Sequence, residues 1–280
     1  MEGGLVRLRA IVDHLTPSER KIALYILEHP ERIVQASVAQ LSEWSGGSTA
    51  AIIRLCKSMD VSGFQELKLK VAGDLHGTDT NYEYNEIRPH DSIQSIINSI
   101  SSNYIQSIKD TVKILDVNLI EKAVEALLHA NRIFFFGMGA SNLIAIDAQY
   151  KFMRINKTSF SFADPHIQIS SATTLKQDDV VVGISYSGET DFVVKCLKHA
   201  RKSGSTTISI TRLSDNTLSS YADIPIKMTS TEKEIRSGAL SSRITQLNVI
   251  DILYLGVVSR NYEESIDYLQ KSRKAVHEKE

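Results

Sequence analysis

Cysteine, net charge and long apolar runs are all scarce in this chain. Only Cys56 and Cys196 are present, and they form no C-x-x-C pair. That excludes a disulfide framework, and both read as reduced core residues of helices in a cytosolic protein. No His/Cys cluster has metal-ligand spacing, so neither a metal nor another cofactor is expected. No stretch of ~18 apolar residues occurs, which excludes a membrane-spanning helix. The N-terminus lacks the apolar core of a secretory signal. Charge nearly cancels, with 32 Lys+Arg against 33 Asp+Glu and a net of -1. This excludes a strongly cationic nucleic-acid binder but not one with a local basic surface. Internal repeats and low-complexity tracts are also missing.

What is present is a chain of 280 residues, 42% hydrophobic, long enough for two domains and able to bury a core. Its organising stretch is Ile184-Ser185-Tyr186-Ser187-Gly188-Glu189-Thr190. The apolar run Val180-Val181-Val182-Gly183-Ile184 reads as a buried parallel strand. Phe192, Val193, Cys196, Leu197 and Ala200 then recur at helical spacing. The stretch is therefore a strand-to-helix turn at the carboxyl end of a strand, where open α/β sheets bind ligands. Hydroxyls of Ser185, Ser187 and Thr190, with backbone N–H groups at the positive end of a helix, make an anion site. The same residues also fit a plain helix cap at Ser187. Glu189 would oppose an anion unless its side chain points outward.

Nearer the N-terminus, Thr16-Pro17-Ser18-Glu19 opens a helix with a T-x-x-E capping box and proline at its first position. His29-Pro30 stops it. Ser37 caps a short helix carrying Val38, Leu41 and Trp44. Ser45-Gly46-Gly47-Ser48 makes a tight turn, and a second helix follows with Ala50, Ile53, Leu55 and Cys56 as apolar positions. Helix, glycine turn, helix is the helix-turn-helix pattern. No acid lies between Trp44 and Met59. Gly47, Ser48, Thr49, Ala51, Arg54 and Lys57 are the candidate DNA contacts, because a helix in a major groove needs hydroxyls and cations at its start and exposed face. Nine Lys/Arg offset nine Asp/Glu over residues 1–77, so DNA contact would rest on local placement. A small helical bundle with a solvated basic face fits the same pattern. Phe64, Leu67 and Leu69 continue in a third helical stretch, with Lys68 and Lys70 exposed.

Residues 77–91 are polar and aperiodic, as in a linker. From Asp91 a stripe of Ile93, Ile96, Ile97, Ile100, Tyr104, Ile105, Ile108 and Val112 marks a long helix. That stripe either packs on the domain that follows or pairs with a second subunit. From Asn118 helices and strands alternate, which means a mostly parallel sheet with helices on both faces. The division read from the chain is 1–77, a linker and connecting helix at 78–117, an α/β domain at 118–263, and a tail at 264–280.

The strand Arg132-Ile133-Phe134-Phe135-Phe136 ends in a second turn, Gly137-Met138-Gly139-Ala140-Ser141. Position 142 is Asn where a dinucleotide turn has its third glycine, and no acid follows at ~20 residues, which weakens an NAD reading. On neighbouring strands the two turns would be two walls of one pocket. Gly139, Ala140 and Ser141 would line one wall, and Ser185, Tyr186, Ser187 and Thr190 the other.

Phe-Gly-Met-Gly-Ala-Ser at 136–141, followed by Ile-Ser-Tyr-Ser-Gly-Glu-Thr at 184–190, resembles the sugar isomerase (SIS) domain over roughly 120–263. Arg54-Leu55-Cys56-Lys57 with Gly63-Phe64-x-Glu66-Leu67-Lys68 resembles the helix-turn-helix of the RpiR family. Together the halves resemble a complete RpiR-type, MurR-like regulator. The resemblance implies an all-α helix-turn-helix domain joined to an α/β SIS domain with a flavodoxin-like, doubly wound parallel sheet. It implies a homodimer or homotetramer, a double-stranded DNA operator with an inverted repeat, and a sugar-phosphate effector. An amino-sugar phosphate such as N-acetylmuramic acid 6-phosphate is the MurR-like form of that effector. Ser141, Ser185, Ser187 and Thr190 would hold the phosphate, and Tyr186 stands where some relatives have Gln. His166 and Glu234 would be sugar contacts. Isomerase relatives use a Glu and a His in catalysis, but the segment around Glu234 matches theirs only loosely. The expectation is therefore a cytoplasmic regulator without catalytic residues. Its rival is a sugar-phosphate isomerase or lyase with a fused helical domain.

Overall fold

The computed structural model describes residues 3–76, 88–230 and 239–277. They form two units. The first runs through Ile114 and includes Leu213–Asp215, Thr229 and Ser230, and the second begins at Leu115.

The first unit is helical: Gly4–Ile11 (α1), Pro17–Glu28 (α2), Pro30–Gln35 (α3), Val38–Ser45 (α4), Thr49–Ser58 (α5), Phe64–His76 (α6) and Ile93–Ile114 (α7). α2 opens as the capping box requires, with the Thr16 N–H donating to Glu19 Oε2 at 3.1 Å. Pro30 ends α2 but also begins α3, since proline at a first helical position loses no hydrogen bond. Ser37 and Gln40 form a reciprocal box on α4, and Ser48 Oγ caps α5 by accepting the Ala51 N–H at 3.2 Å. Between them Gly47 lies so close to α2 that a Cβ would sit 2.4 Å from the Ile22 side chain. Leu8, Ile22, Ile26, Leu41, Ile52, Leu55 and Leu67 fill the core. α1 has no cap of its own. Buried Asp74 of α6 accepts from the Gly3 and Leu5 N–H groups at 2.7 Å each.

Two expectations change here, on α5 and α6. On α5 it is Ala51 and Ile52 that join Leu55 and Cys56 in the core, while Ala50 and Ile53 face outward. On α6, Leu69 is exposed and Lys68 and Lys70 are half-buried. Lys68 donates to the Ala36 carbonyl at 3.0 Å, and Lys70 pairs with Glu66. On α7 the buried residues are Ser99, Ser107, Asp110, Thr111 and Ile114, whereas Ile93, Ile97, Ile105 and Val112 are exposed. On the inward polar side Thr111 donates its Oγ1–H to the Thr229 carbonyl at 2.9 Å, and Asp110 accepts from Gln106 Nε2 at 2.7 Å.

The second unit contains Val117–His129 (α8), Arg132–Gly137 (β1), Ala140–Met153 (α9), Ser159–Ser161 (β2), Pro165–Ala172 (α10), Asp179–Ile184 (β3), Asp191–Ser203 (α11), Thr206–Arg212 (β4), Thr217–Ser220 (α12), Ile224–Met228 (β5), Leu240–Arg260 (α13) and Tyr262–His277 (α14). All strand pairs are parallel, in the order β2-β1-β3-β4-β5. This is the flavodoxin-like order, which reverses direction between β1 and β3. Alternate strand residues feed two cores, as a pleat dictates. Ile133, Phe135, Val180 and Val182 pack with α8, α9 and α13. Phe134, Phe136 and Val181 pack with α11 and α12. The expected tail is largely helix, α14, and His166 stands in the first turn of α10. Both cysteines are buried and free, and burial pushes the Cys56 thiol up to about 11 and the Cys196 thiol to about 12.

Candidate functional site

β1 and β3 are neighbours, and Gly137 stands opposite Ile184 in register. The two Ser-bearing turns therefore leave the same sheet edge side by side, at the point where strand order reverses. Gly139, Ala140 and Ser141 begin α9, with Gly139 as its cap residue. Ser185 is buried at the end of β3, and its Oγ lies 2.8 Å from Thr190 Oγ1. The Gly188 N–H donates to Ser185 Oγ at 3.2 Å, and the Glu189 N–H donates to Ser187 Oγ at 3.2 Å. The cap residue of α11 is Thr190, not Ser187. Ser185, Ser187 and Thr190 thus share one small turn of hydroxyls and amides at the start of a 13-residue helix, an arrangement that suits a tetrahedral anion.

The turn is held from β4 onward. Arg212 N–H donates to the Tyr186 carbonyl at 2.9 Å, and Leu218 N–H to the Gly188 carbonyl at 2.8 Å. Gly188 has φ +72, and a Cβ there would lie 2.1 Å from Asn216 Oδ1, so no other residue fits. Glu189 is turned to this same segment: Thr217 N–H donates to its Oε1 at 2.8 Å and Thr217 Oγ1–H to its Oε2 at 2.6 Å. The side-chain bond, then the backbone bond, holds the Glu189 carboxyl below its ordinary value. Its charge is committed to capping α12.

The other site residues divide. His166 stands in the first turn of α10, exposed, with its ring edge-on to Phe192 at 6.0 Å, two residues beyond Thr190. Asp164 caps α10, and Gln168 Nε2 ties it to the end of β1 by donating to the Gly137 carbonyl at 2.9 Å. Glu234 lies outside the described residues. Gln246, which the sequence did not single out, is buried on α13 against Ser141. Only the motif's chain-distant packing could have revealed it.

In the first unit, Ser48, Thr49, Arg54 and Lys57 share the exposed side of α5 with Ala50 and Ile53. Gly47 and Ala51 do not: both are buried, Gly47 against Ile22 and Ala51 with no exposed surface. Arg54 Nε pairs with the largely buried Glu19 at 3.4 Å while half its side chain stays exposed.

A helix-turn-helix unit joined to a parallel-sheet unit with a Ser-lined switch point is the architecture of a two-domain transcriptional regulator. Residues 2–77 match the helix-turn-helix domain of the rpiR family, and residues 126–256 match the SIS domain. The chain is 42% identical to the HTH-type transcriptional regulator YbbH of Bacillus subtilis, covering 98% of this chain and 97% of YbbH. It is 40% identical to an HTH-type transcriptional regulator of Caldanaerobacter subterraneus, over 96% and 95% of the two chains. Among solved structures, the Vibrio vulnificus NanR protein complexed with ManNAc-6P aligns with TM-score 0.61 and 26% identity, covering 98% of this chain and 97% of that one. The chain belongs to the RpiR family of transcriptional regulators.

Proposed function

We propose that this regulator binds operator DNA through α5 and that a sugar phosphate, held between the two turns of the second unit, controls that binding. The observation that carries the reading is the placement of Ser141 in the turn after β1 and of Ser185, Ser187 and Thr190 in the turn after the neighbouring β3, at the β1/β3 switch point. Phosphate would accept from these hydroxyls and from the amides of the turn. The sugar would extend toward His166, with Glu234 a further candidate contact. The NanR relative in complex with ManNAc-6P supports an amino-sugar 6-phosphate as the class, which also includes N-acetylmuramic acid 6-phosphate. On α5, Ser48, Thr49, Arg54 and Lys57 would meet phosphates and base edges. Exposed Ile53 offers an apolar contact of the kind that reads thymine methyls. A cytoplasmic homodimer or homotetramer on an inverted repeat completes the reading.

Calorimetric titration with a panel of amino-sugar phosphates and their unphosphorylated sugars tests it. A hydrogen bond to a charged group contributes ~1.5–3 kcal/mol, so Ser187→Ala should weaken the phosphorylated ligand by about 10–100-fold and leave the free sugar almost unaffected. DNA binding without ligand should persist. Equal loss for both ligands would reduce Ser187 to a turn former, and turnover of the sugar phosphate would favour an enzyme.

A further inference from the structure

Ser141 and Gln246 are 105 positions apart, yet they meet at the first turn. Gln246 is 2% exposed. Its Nε2 lies 3.2 Å from Ser141 Oγ, and its Oε1 lies 3.4 Å from the same atom. A serine hydroxyl has one proton and two lone pairs. When the amide N–H donates to Oγ, the Ser141 proton is left for another acceptor. When the amide oxygen accepts, that proton is spent. The shorter contact is the N–H one. A buried primary amide is also costly without partners, and Gln246 lies on the α13 side of the sheet, where the neighbouring core is apolar.

We propose that Gln246 is a positioning residue: by donating to Ser141 Oγ it fixes Ser141 as a hydrogen-bond donor toward an anion held between the two turns. This rests on the anion-site reading above. It also separates the two walls. On the second wall Ser185 and Thr190 bond each other, and either can donate. On the first wall, α13 sets the direction of the proton.

The test is a double-mutant cycle read by calorimetric titration with sulfate, a tetrahedral dianion whose own charge is constant from pH 5.5 to 8. Gln246→Met keeps side-chain volume and removes both polar atoms. It should weaken sulfate about 5-fold in the otherwise unchanged protein, the size of one net hydrogen bond. In a Ser141→Ala background it should cost less than about 2-fold, because there is no hydroxyl left to orient. Gln246→Glu adds a second readout. Ionised, it takes the Ser141 proton and repels the anion. Protonated, its O–H donates as the amide did, and burial favours that form. Its affinity relative to the unchanged protein at each pH should therefore recover on acidification and rise above that of Gln246→Met at pH 5.5. An equal loss for Gln246→Met in both backgrounds, or a Gln246→Glu ratio at pH 5.5 no better than that of Gln246→Met, overturns the inference while leaving the anion site standing. Failure of the unchanged protein to bind sulfate overturns both. Thermal melting checks folding, and Gln246→Asn, which keeps the amide but shortens its reach, replaces Gln246→Met in the cycle if that variant does not fold.

Discussion

Glu189 shows how a single residue can sit badly in a motif and well in a structure. An acid in the first turn of an anion-binding helix should repel the ligand. Here both of its oxygens are taken by Thr217, at 2.8 and 2.6 Å, so the charge serves α12 instead. The carboxyl is held below its ordinary value. The brace is therefore fully present above the unfolded glutamate pKa and is lost as pH falls through the lower folded one. Thr217→Val removes the shorter bond and leaves the carboxylate held by the backbone bond alone, free to swing partly toward the ligand, which should weaken a sugar phosphate by roughly 5-fold. Adding Glu189→Gln should restore most of the loss, because the loosened side chain then carries no charge. Calorimetry on the single and double variants decides. A double variant as weak as Thr217→Val would mean that Thr217 only shapes the turn.

At the scale of elements, legibility followed the periodicity. β1 and β3 could be read because Phe134, Phe135 and Phe136, and Val180, Val181 and Val182, are apolar on both faces, which only a doubly covered parallel strand requires. α5 was found but turned the wrong way. Ala50-Ala51 and Ile52-Ile53 stand side by side, so either phase satisfies the pattern. Phase is fixed by Ser48 capping and by Gly47 against Ile22, contacts that no local rule contains. α1 has no local signal because the residue that caps it, Asp74, lies 71 positions from Gly3, and on α7 the buried side is polar while much of the apolar stripe stays exposed. The two Ser-bearing turns are legible as motifs, but the Gln246 partner of Ser141 is not, since a glutamine on an amphipathic helix carries no mark of facing inward. The corrected phase of α5 sharpens what its cations should do. Lys57→Ala should lower the slope of log affinity against log salt by ~1 and leave the melting temperature unchanged. Arg54→Ala should lower the slope similarly and also cost at most ~1 kcal/mol of stability, because Glu19 loses its cation. Salt titrations of operator binding with matched melts check both, and an unchanged slope for Lys57→Ala would remove this face from the interface.

At the scale of the molecule, each unit has its own core, and the chain passes between them more than once, since Leu213–Asp215 belong to the first unit while β4 and α12 belong to the second. A regulator needs more than two sites on one chain. Its ligand must bind the DNA-competent and incompetent states with different affinities, or it shifts nothing. If a sugar phosphate changes DNA affinity by some factor, DNA must change sugar-phosphate affinity by the same factor, and such factors commonly run ~5–150-fold. Trp44, the only tryptophan, is partly exposed at the end of α4 beside the motif turn, so its emission should report operator binding. DNA should be titrated by Trp44 emission with and without saturating sugar phosphate, and the sugar phosphate by calorimetry with and without saturating DNA. Equal factors, at least ~5-fold in each direction, are expected. Both ligands binding with factors of one would leave two functions on one chain and no regulation by this effector. The Ser187→Ala variant, titrated with DNA at a sugar-phosphate concentration that just saturates the unchanged protein, should then shift toward the DNA affinity of the ligand-free state, by an amount set by its reduced occupancy.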